Sequence, residues 1–244
     1  FVIIKHTNAC GVATGANVKA AYLKAFQADT ISAFGGVLAS NKKIDLAAAE
    51  ELNKLFFEIL IAPDYEPAAL DLLKTKKNRI ILKQKQALTA TRQYKSLLNG
   101  VIEQDLDLKT DSKEDLKPVT KRIATAYEVE ALLFASKICK HTKSNTIILA
   151  VDGQLLASGV GQTSRVDALK QAIEKAKAFG FNLKGAVMAS DAFFPFPDCV
   201  EIAHSEGIEA VIQPGGSVKD QESIDFCDKH NMAMVFTGIR HFKH

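Results

Sequence analysis

Apolar and polar positions along this chain switch repeatedly between a two-residue and a helical period. FVII (1–4), FGGVLAS (34–40) and EILIA (58–62), the last stopped by Pro63, are short apolar runs that read as strands. Between them, Val18 to Gln27 and Leu46 to Phe57 carry apolar residues at helical spacing. The stretch TNACGVATG, after the first strand, is small-residued and reads as turn-rich. Ala124 to Lys140 predicts a helix with Leu132, Leu133, Ala135, Ser136 and Ile138 available for packing. TIILAV and QLLASGV flank Asp152-Gly153, a strong short hairpin signal. Ser164 is placed to cap a helix running to about Ala178.

The C-terminal half then alternates. GAVMAS (185–190), EAVIQ (209–213) and AMVFTG (233–238) predict strands. One helix between them carries Val200, Ile202 and Ala203 on one side; another, Val218 to His230, turns Ile224, Phe226 and Cys227 inward. Strand and helix alternating with short links argue for an α/β fold with a parallel sheet and right-handed crossovers. The carboxyl ends of such strands face the crevice where ligands bind. Here those ends are Ser190-Asp191, Gln213-Pro214-Gly215-Gly216 and Gly238-Ile239-Arg240. Residues 84–118 are the least regular and include DLDLKTDSKEDLKP, read as a surface connection. The expected boundary lies near Pro118, giving units 1–118 and 119–244, with no repeat detectable by sequence identity.

Composition narrows the class. With 47% hydrophobic and 24% charged residues, the chain is ordinary for a globular protein. No apolar run approaches the roughly 18 residues of a membrane span, so no membrane partner is expected. A net charge of +3, spread along the chain, does not argue for nucleic acid. Cys10, Cys139, Cys199 and Cys227 form no C-x-x-C pair and read as reduced thiols of a cytoplasmic protein, without zinc. An opening on Phe1, inside a strand-like run, reads as a fragment of a longer polypeptide.

Several strings could carry chemistry. Lys5-His6 at a strand end is either surface decoration or an acid/base pair, His moving a proton near neutral pH and Lys supporting an oxyanion. Ser32-Ala33-Phe34-Gly35-Gly36 is too short for a phosphate loop, and a tight backbone approach explains its glycines equally well. Asn145, in Lys143-Ser144-Asn145, is a turn residue or an amide donor aimed at a carbonyl oxygen. Gly161 to Arg165 leads into a helix and suits an anion. SDAFFPFPD packs three phenylalanines and two prolines into nine residues, so a core or a flat ligand must cover it. Asp191 and Asp198 bracket that string, either to bind the NH groups of a heterocycle or to cap the next helix. The terminus from Gly238 to His244 looks like a frayed basic tail, though Arg240 stands at a strand's carboxyl end.

Taken together and in order, KHTNACGVATG, DTISAFGG, ILIAP, KSN, GVGQTSR, SDAFFPF, QPGGS and RHFKH resemble the signature segments of AICAR transformylases, across the whole chain. That resemblance implies two cytidine-deaminase-like, three-layer subdomains with mixed and parallel sheets. It implies transfer of a formyl group from 10-formyltetrahydrofolate to the amine of 5-aminoimidazole-4-carboxamide ribonucleotide (AICAR). It also implies a homodimer with active sites at its interface and a potassium ion near the active-site loops. By the same resemblance Lys5, His6 and Asn145 are catalytic, and Arg165, Arg240, Phe193 and Phe242 bind the nucleotide. Ile31, Phe34, Gly35, Val166, Pro195, Phe196, Asp198, Pro214 and Gly215 line the folate side, Asp198 holding the pterin's donors.

Deaminases carry H-x-E and P-C-x-x-C zinc ligands; no P-C-x-x-C string is here, which favours group transfer over a deaminase-like hydrolysis. The chain departs from the family pattern at Ala9, where many relatives have Pro, and at Pro197, where some carry a basic residue. It also lacks the cyclohydrolase domain that precedes the transformylase in the family, so ring closure is not expected of it. The competing reading is a non-catalytic nucleotide-binding module of the same family.

Overall fold

The computed structural model describes residues 1–86 and 89–244. Residues 87 and 88, within the segment read as irregular, lie outside the described residues. The first half contains β1 (Val2–Lys5), β2 (Asn8–Val12), α1 (Val18–Gln27), β3 (Gly36–Ala39), α2 (Leu46–Leu52), β4 (Phe57–Ala62), α3 (Pro67–Lys74) and β5 (Ile80–Lys83). A hairpin follows, β6 (Arg92–Leu97) and β7 (Gly100–Asp105), and then a short strand β8 (Lys117–Pro118). The second half contains α4 (Ala126–Lys140), β9 (Ile147–Val151), β10 (Gln154–Gly159), α5 (Arg165–Ala178), β11 (Val187–Ser190), α6 (Asp198–Ser205), β12 (Ala210–Gln213), α7 (Asp220–Lys229) and β13 (Ala233–Phe236).

The two halves share one topology. The first sheet has the order β2-β1-β3-β4-β5 and the second β10-β9-β11-β12-β13-β8. In each, an antiparallel hairpin pairs antiparallel with a third strand that opens a parallel run of three. The mixed α/β class read from the sequence stands, with antiparallel strands flanking the expected parallel core. Even the packing device repeats. A Cβ on Gly11 of β2 would stand 2.2 Å from the Ala25 carbonyl oxygen of α1. On Gly159 of β10 it would stand 1.7 Å from that of Ala168 in α5. Each glycine lets the following helix lie against the hairpin's backbone.

The layers follow from burial. Ile3, Leu38, Phe57 and Leu60 of the first sheet pack with α1, α2 and α3 in one cluster. Leu149, Met188, Val211 and Met234 do the same with α5, α6 and α7. The opposite face of the second sheet, through Ile148, Val187, Ile212 and Val235, packs on α4. Phe134 and Ile138 of α4 also face Val2, Ile4 and Ala39 of the first sheet across an apolar groove of about 440 Å³. The sheets meet at β2 and β10, through an Ala13–Gln154 bridge and a 2.5 Å ion pair between Lys175 and Asp29.

Four expectations need correction. The helix read as Leu46 to Phe57 ends at Leu52, where Asn53 caps it through its backbone N–H, and Phe57 opens β4 as a fully buried residue. The turn-rich TNACGVATG contains β2, paired along β1. The irregular segment 84–118 holds a hairpin, and its end pairs with β13. Every residue of β6 and β7 is exposed, so the hairpin draws none of the roughly 1.5–3 kcal/mol that a buried Leu or Ile contributes. Finally, the terminus is not simply a frayed tail: His241 and Lys243 are hydrogen-bonded to the body of the protein.

Candidate functional site

Lys5 pairs with Asn8 across a two-residue turn, and the turn residues His6 and Thr7 have φ of 48° and 66°. Such hairpin turns need positive φ at both central positions and are normally filled by Asn, Asp or Gly. A histidine and a β-branched threonine there cost about 1–3 kcal/mol each. His6 is exposed, and among the described residues its ring makes no hydrogen bond. Lys5, half-buried, donates to the Phe34 carbonyl at 2.5 Å.

Phe34 sits in the turn before β3, its ring 5.0 Å from that of Phe56. Ile31 is 78% exposed, Phe34 62% and Phe56 49%, so an apolar, aromatic surface opens beside the Lys5 ammonium. Gly35 has φ +66°, and a Cβ there would stand 3.5 Å from Lys5 Nζ. Phe56 was not singled out by sequence, because it reads as part of the helix that in fact ends before it.

A second group gathers at the carboxyl ends of the second sheet. The Ser164 side chain caps α5, as expected, and sets Arg165 at its first turn. Arg165 donates to Asp191 Oδ1 at 2.9 Å, to Asn145 Oδ1 at 3.0 Å and to the Phe193 carbonyl at 3.2 Å. Asp191 is fully buried, and its Oδ2 has no partner among the described residues. Asn145 donates its amide to the carbonyls of Gln162 and Thr163, at 3.0 and 3.2 Å. The Arg240 guanidinium lies 4.6 Å above the Phe193 ring. A Cβ on Gly216 would stand 3.9 Å from that guanidinium, so the QPGGS turn borders the same place.

Of the three phenylalanines in SDAFFPFPD, Phe194 is core, Phe193 is half-buried under Arg240, and Phe196 is half-exposed with Lys219 Nζ 4.7 Å away. Pro195 is exposed. Asp198 is the first residue of α6, where Pro197 stands at the N-cap, and accepts from the N–H of its neighbour Cys199 at 2.8 Å. Pro214 and Gly215 are buried, and Val166 packs on the core of the second unit. Phe242 is 46% exposed, with its ring beside His244 and not beside Phe193.

One link joins the two groups. Asn8, at the foot of the His6 turn, accepts the backbone N–H of Lys143 at 2.8 Å, two residues before Asn145. Neither this link nor the burial of Asp191 against Arg165 has a signature in spacing; both depend on tertiary placement.

The four cysteines are buried, and burial pushes their thiols up, Cys10 to about 11 and Cys199 and Cys227 to about 12. They are poor nucleophiles and poor metal ligands near neutral pH. No helix among the described residues is long and apolar enough to cross a membrane.

Residues 1–175 match the family described as the AICARFT/IMPCHase bienzyme. The chain is 64% identical over 244 residues to the bifunctional purine biosynthesis protein PurH of Bacteroides thetaiotaomicron, covering 100% of this chain and 48% of that protein. It is 54% identical over 242 residues to PurH of Aquifex aeolicus, covering 99% of this chain and 47% of that one. The chain thus spans about half the length of the curated relatives it matches. Among solved structures, a dCMP deaminase from the cyanophage S-TIM5 aligns with a TM-score of 0.35 at 16% identity, over 46% of this chain and 98% of that chain.

Proposed function

The chain belongs to the AICARFT/IMPCHase bienzyme family, and from that premise we propose that it supplies the formyl-transfer site of a purine-biosynthesis enzyme. In this reading the acceptor is AICAR and the donor is 10-formyltetrahydrofolate. The observation that carries it is the Asn8–Lys143 hydrogen bond, which draws the Lys5-His6 turn to the loop of Asn145 from 135 residues away.

The chemistry needs such a convergence. The amine of AICAR is conjugated with its ring and carboxamide, so it is a weak nucleophile. Its nitrogen bonds to the formyl carbon as it loses a proton, and the carbon then parts from the folate nitrogen, which takes a proton. His6, strained outward and unpartnered, would accept the first proton and return it to the leaving nitrogen. Lys5 would place its charge beside the oxygen of the tetrahedral intermediate. Asn145 would join it by exchanging one of its two carbonyl partners for that oxygen. A donor of this kind lowers the barrier by about 3–4 kcal/mol.

The exposed Ile31, Phe34 and Phe56 suit the flat apolar parts of a folate. Arg240 and Phe193 suit an anionic nucleotide. Arg165, already holding Asp191, would contribute mainly by orienting the Asn145 amide. The unpartnered Oδ2 of Asp191 is a fitting oxygen ligand for the potassium ion implied by the resemblance. A homodimer with shared sites and a cytoplasmic location belong to the same proposal.

A spectrophotometric formyl-transfer assay tests it, on this chain alone and on a full-length bienzyme that carries it, with and without potassium. Lys5→Ala and His6→Ala should each abolish turnover while nucleotide binding survives. Retained turnover in both variants would refute the assignment; nucleotide binding without turnover in the wild-type full-length bienzyme would favour a non-catalytic binding module.

A further inference from the structure

The terminal residues 240–243 cross the site as a strap, and a buried side chain fastens it. His241 is 4% exposed. Its Nδ1 lies 2.5 Å from Asp107 Oδ2 and its Nε2 3.3 Å from Asp111 Oδ2. Carboxylate oxygens only accept, so a neutral imidazole can satisfy one of these contacts and an imidazolium both. The remaining groups around it come from α4 and its end. The Ser136 hydroxyl donates to Asp111 Oδ2 at 2.5 Å. Lys140 Nζ donates to the Lys109 carbonyl at 2.6 Å and lies 3.8 Å from Asp107 Oδ1. His141 stands at the C-cap of α4, where the Lys243 ammonium donates to its carbonyl at 2.9 Å. Two acids therefore face Lys140 and His241, and the neighbouring Asp115 is paired with Lys109 at 2.7 Å.

The backbone of the strap is part of the site. The His241 N–H donates to the Asp191 carbonyl at 3.0 Å, and Asp191 holds Arg165. Arg240, one residue earlier, covers Phe193. Lys243, two residues later, exchanges hydrogen bonds with Ser144, accepting its N–H at 2.8 Å and donating to its hydroxyl at 3.0 Å. Ser144 is the neighbour of Asn145. The strap thus touches the Arg165–Asp191 pair, the Asn145 loop and the Phe193 ring.

We propose that His241 is a positioning residue: clamped between Asp107 and Asp111, it fixes the strap so that Arg240 stays over Phe193 where the nucleotide's negative charge would lie. The proposal rests on the reading of Arg240 as a nucleotide-binding residue. It does not place His241 against substrate.

The test uses the full-length bienzyme with His241→Gln, and Asp107→Asn as a second variant should the first fold poorly. The nucleotide KM should rise about tenfold at pH 7, well beyond any fall in kcat, with the folate KM nearly unchanged, as expected for a displaced binding group. Hydrogen exchange of residues 240–244 reports the strap without reference to activity, and should quicken in the variant. Unchanged exchange overturns the clamp; a freed strap with an unmoved nucleotide KM overturns the link to Arg240. A wild type with no affinity for nucleotide would sink the formyl-transfer reading instead, and the exchange measurement would still decide the clamp.

Discussion

Asn8 and Lys143 are held 2.8 Å apart by a single hydrogen bond, side-chain oxygen to backbone N–H, and that bond spans the two units of the fold. Asn8 also donates to the His6 carbonyl at 3.1 Å, so one side chain braces the strained turn and ties it to the Asn145 loop. Asn8→Ala removes both contacts at an exposed to half-buried position, where a hydrogen bond is worth about 1 kcal/mol. Stability should fall by that modest amount. Formyl transfer should fall more, by about 10- to 100-fold, because the reacting groups lose their common frame. Denaturant unfolding and steady-state kinetics on the same variant separate the two effects; an activity loss no larger than the stability loss would contradict the bracing role.

Thr7 occupies a backbone conformation that a β-branched residue adopts at a cost. Thr7→Gly removes that cost and should raise stability by about 1 kcal/mol, even though glycine is more flexible when unfolded. The midpoint of urea unfolding should rise with its slope unchanged. A lower midpoint would mean that the turn's geometry is held by the threonine hydroxyl, which donates to the His6 carbonyl at 2.6 Å.

Much of the fold was legible because the apolar pattern carries it. The helix Val18–Gln27, the Asp152-Gly153 hairpin and the Ser164 cap all depend on neighbours in sequence, and all are present as read. The duplication of topology was hidden, since the halves share strand order and a glycine device but no detectable identity. The site was legible only as separate strings. Lys5, Asn145, Arg165 and Arg240 could be proposed from resemblance, but the contacts that assemble them come from Asn8, Asp191 and His241. Asp191 stands out in the sequence only as the edge of SDAFFPFPD, without its partner, and Asn8 and His241 are ordinary polar residues until the chain has folded.

Gly159 has no room for a side chain, with the Ala168 carbonyl oxygen 1.7 Å from any Cβ placed there. Backbone of a helix end cannot swing aside as a flexible side chain would. Gly159→Ala should therefore cost at least the roughly 1–3 kcal/mol of an overpacked core, by driving α5 away from β10. Because α5 carries Arg165, activity should fall with stability. Circular dichroism melts would show it, and a melting temperature within a degree of wild type would contradict the close approach.

The pair Arg165 and Asp191 is buried, with side chains 10% and 0% exposed. Removing one partner of such a pair leaves an uncompensated charge and costs about 3–5 kcal/mol. Asp191→Ala should be destabilising on that scale and should also release Asn145, whose Oδ1 shares the same guanidinium nitrogen. Asp191→Asn keeps the shape and should retain more stability than Asp191→Ala. Equal losses for the two variants, measured by denaturant unfolding, would show that the carboxylate's charge rather than its hydrogen bonding sets the cost.

The junction between the units has its own pH signature. Asp29, 2% exposed at the end of α1, meets Lys175 of α5 at 2.5 Å and accepts the Ser32 N–H at 2.8 Å. Burial raises its carboxyl pKa, but the hydrogen bonds from Lys175 and Ser32 outweigh that and leave it below the usual aspartate value. A depressed acid contributes stability that is complete above the unfolded pKa of about 3.9 and is lost as pH falls through the folded one. Wild-type stability should therefore decline on the acid side below about pH 4–5, and Asp29→Asn should make that decline shallower while lowering stability at pH 7. Unfolding free energies from pH 3 to pH 7 for both proteins provide the comparison. Parallel acid limbs would mean that the ion pair is not what couples the two sheets to pH.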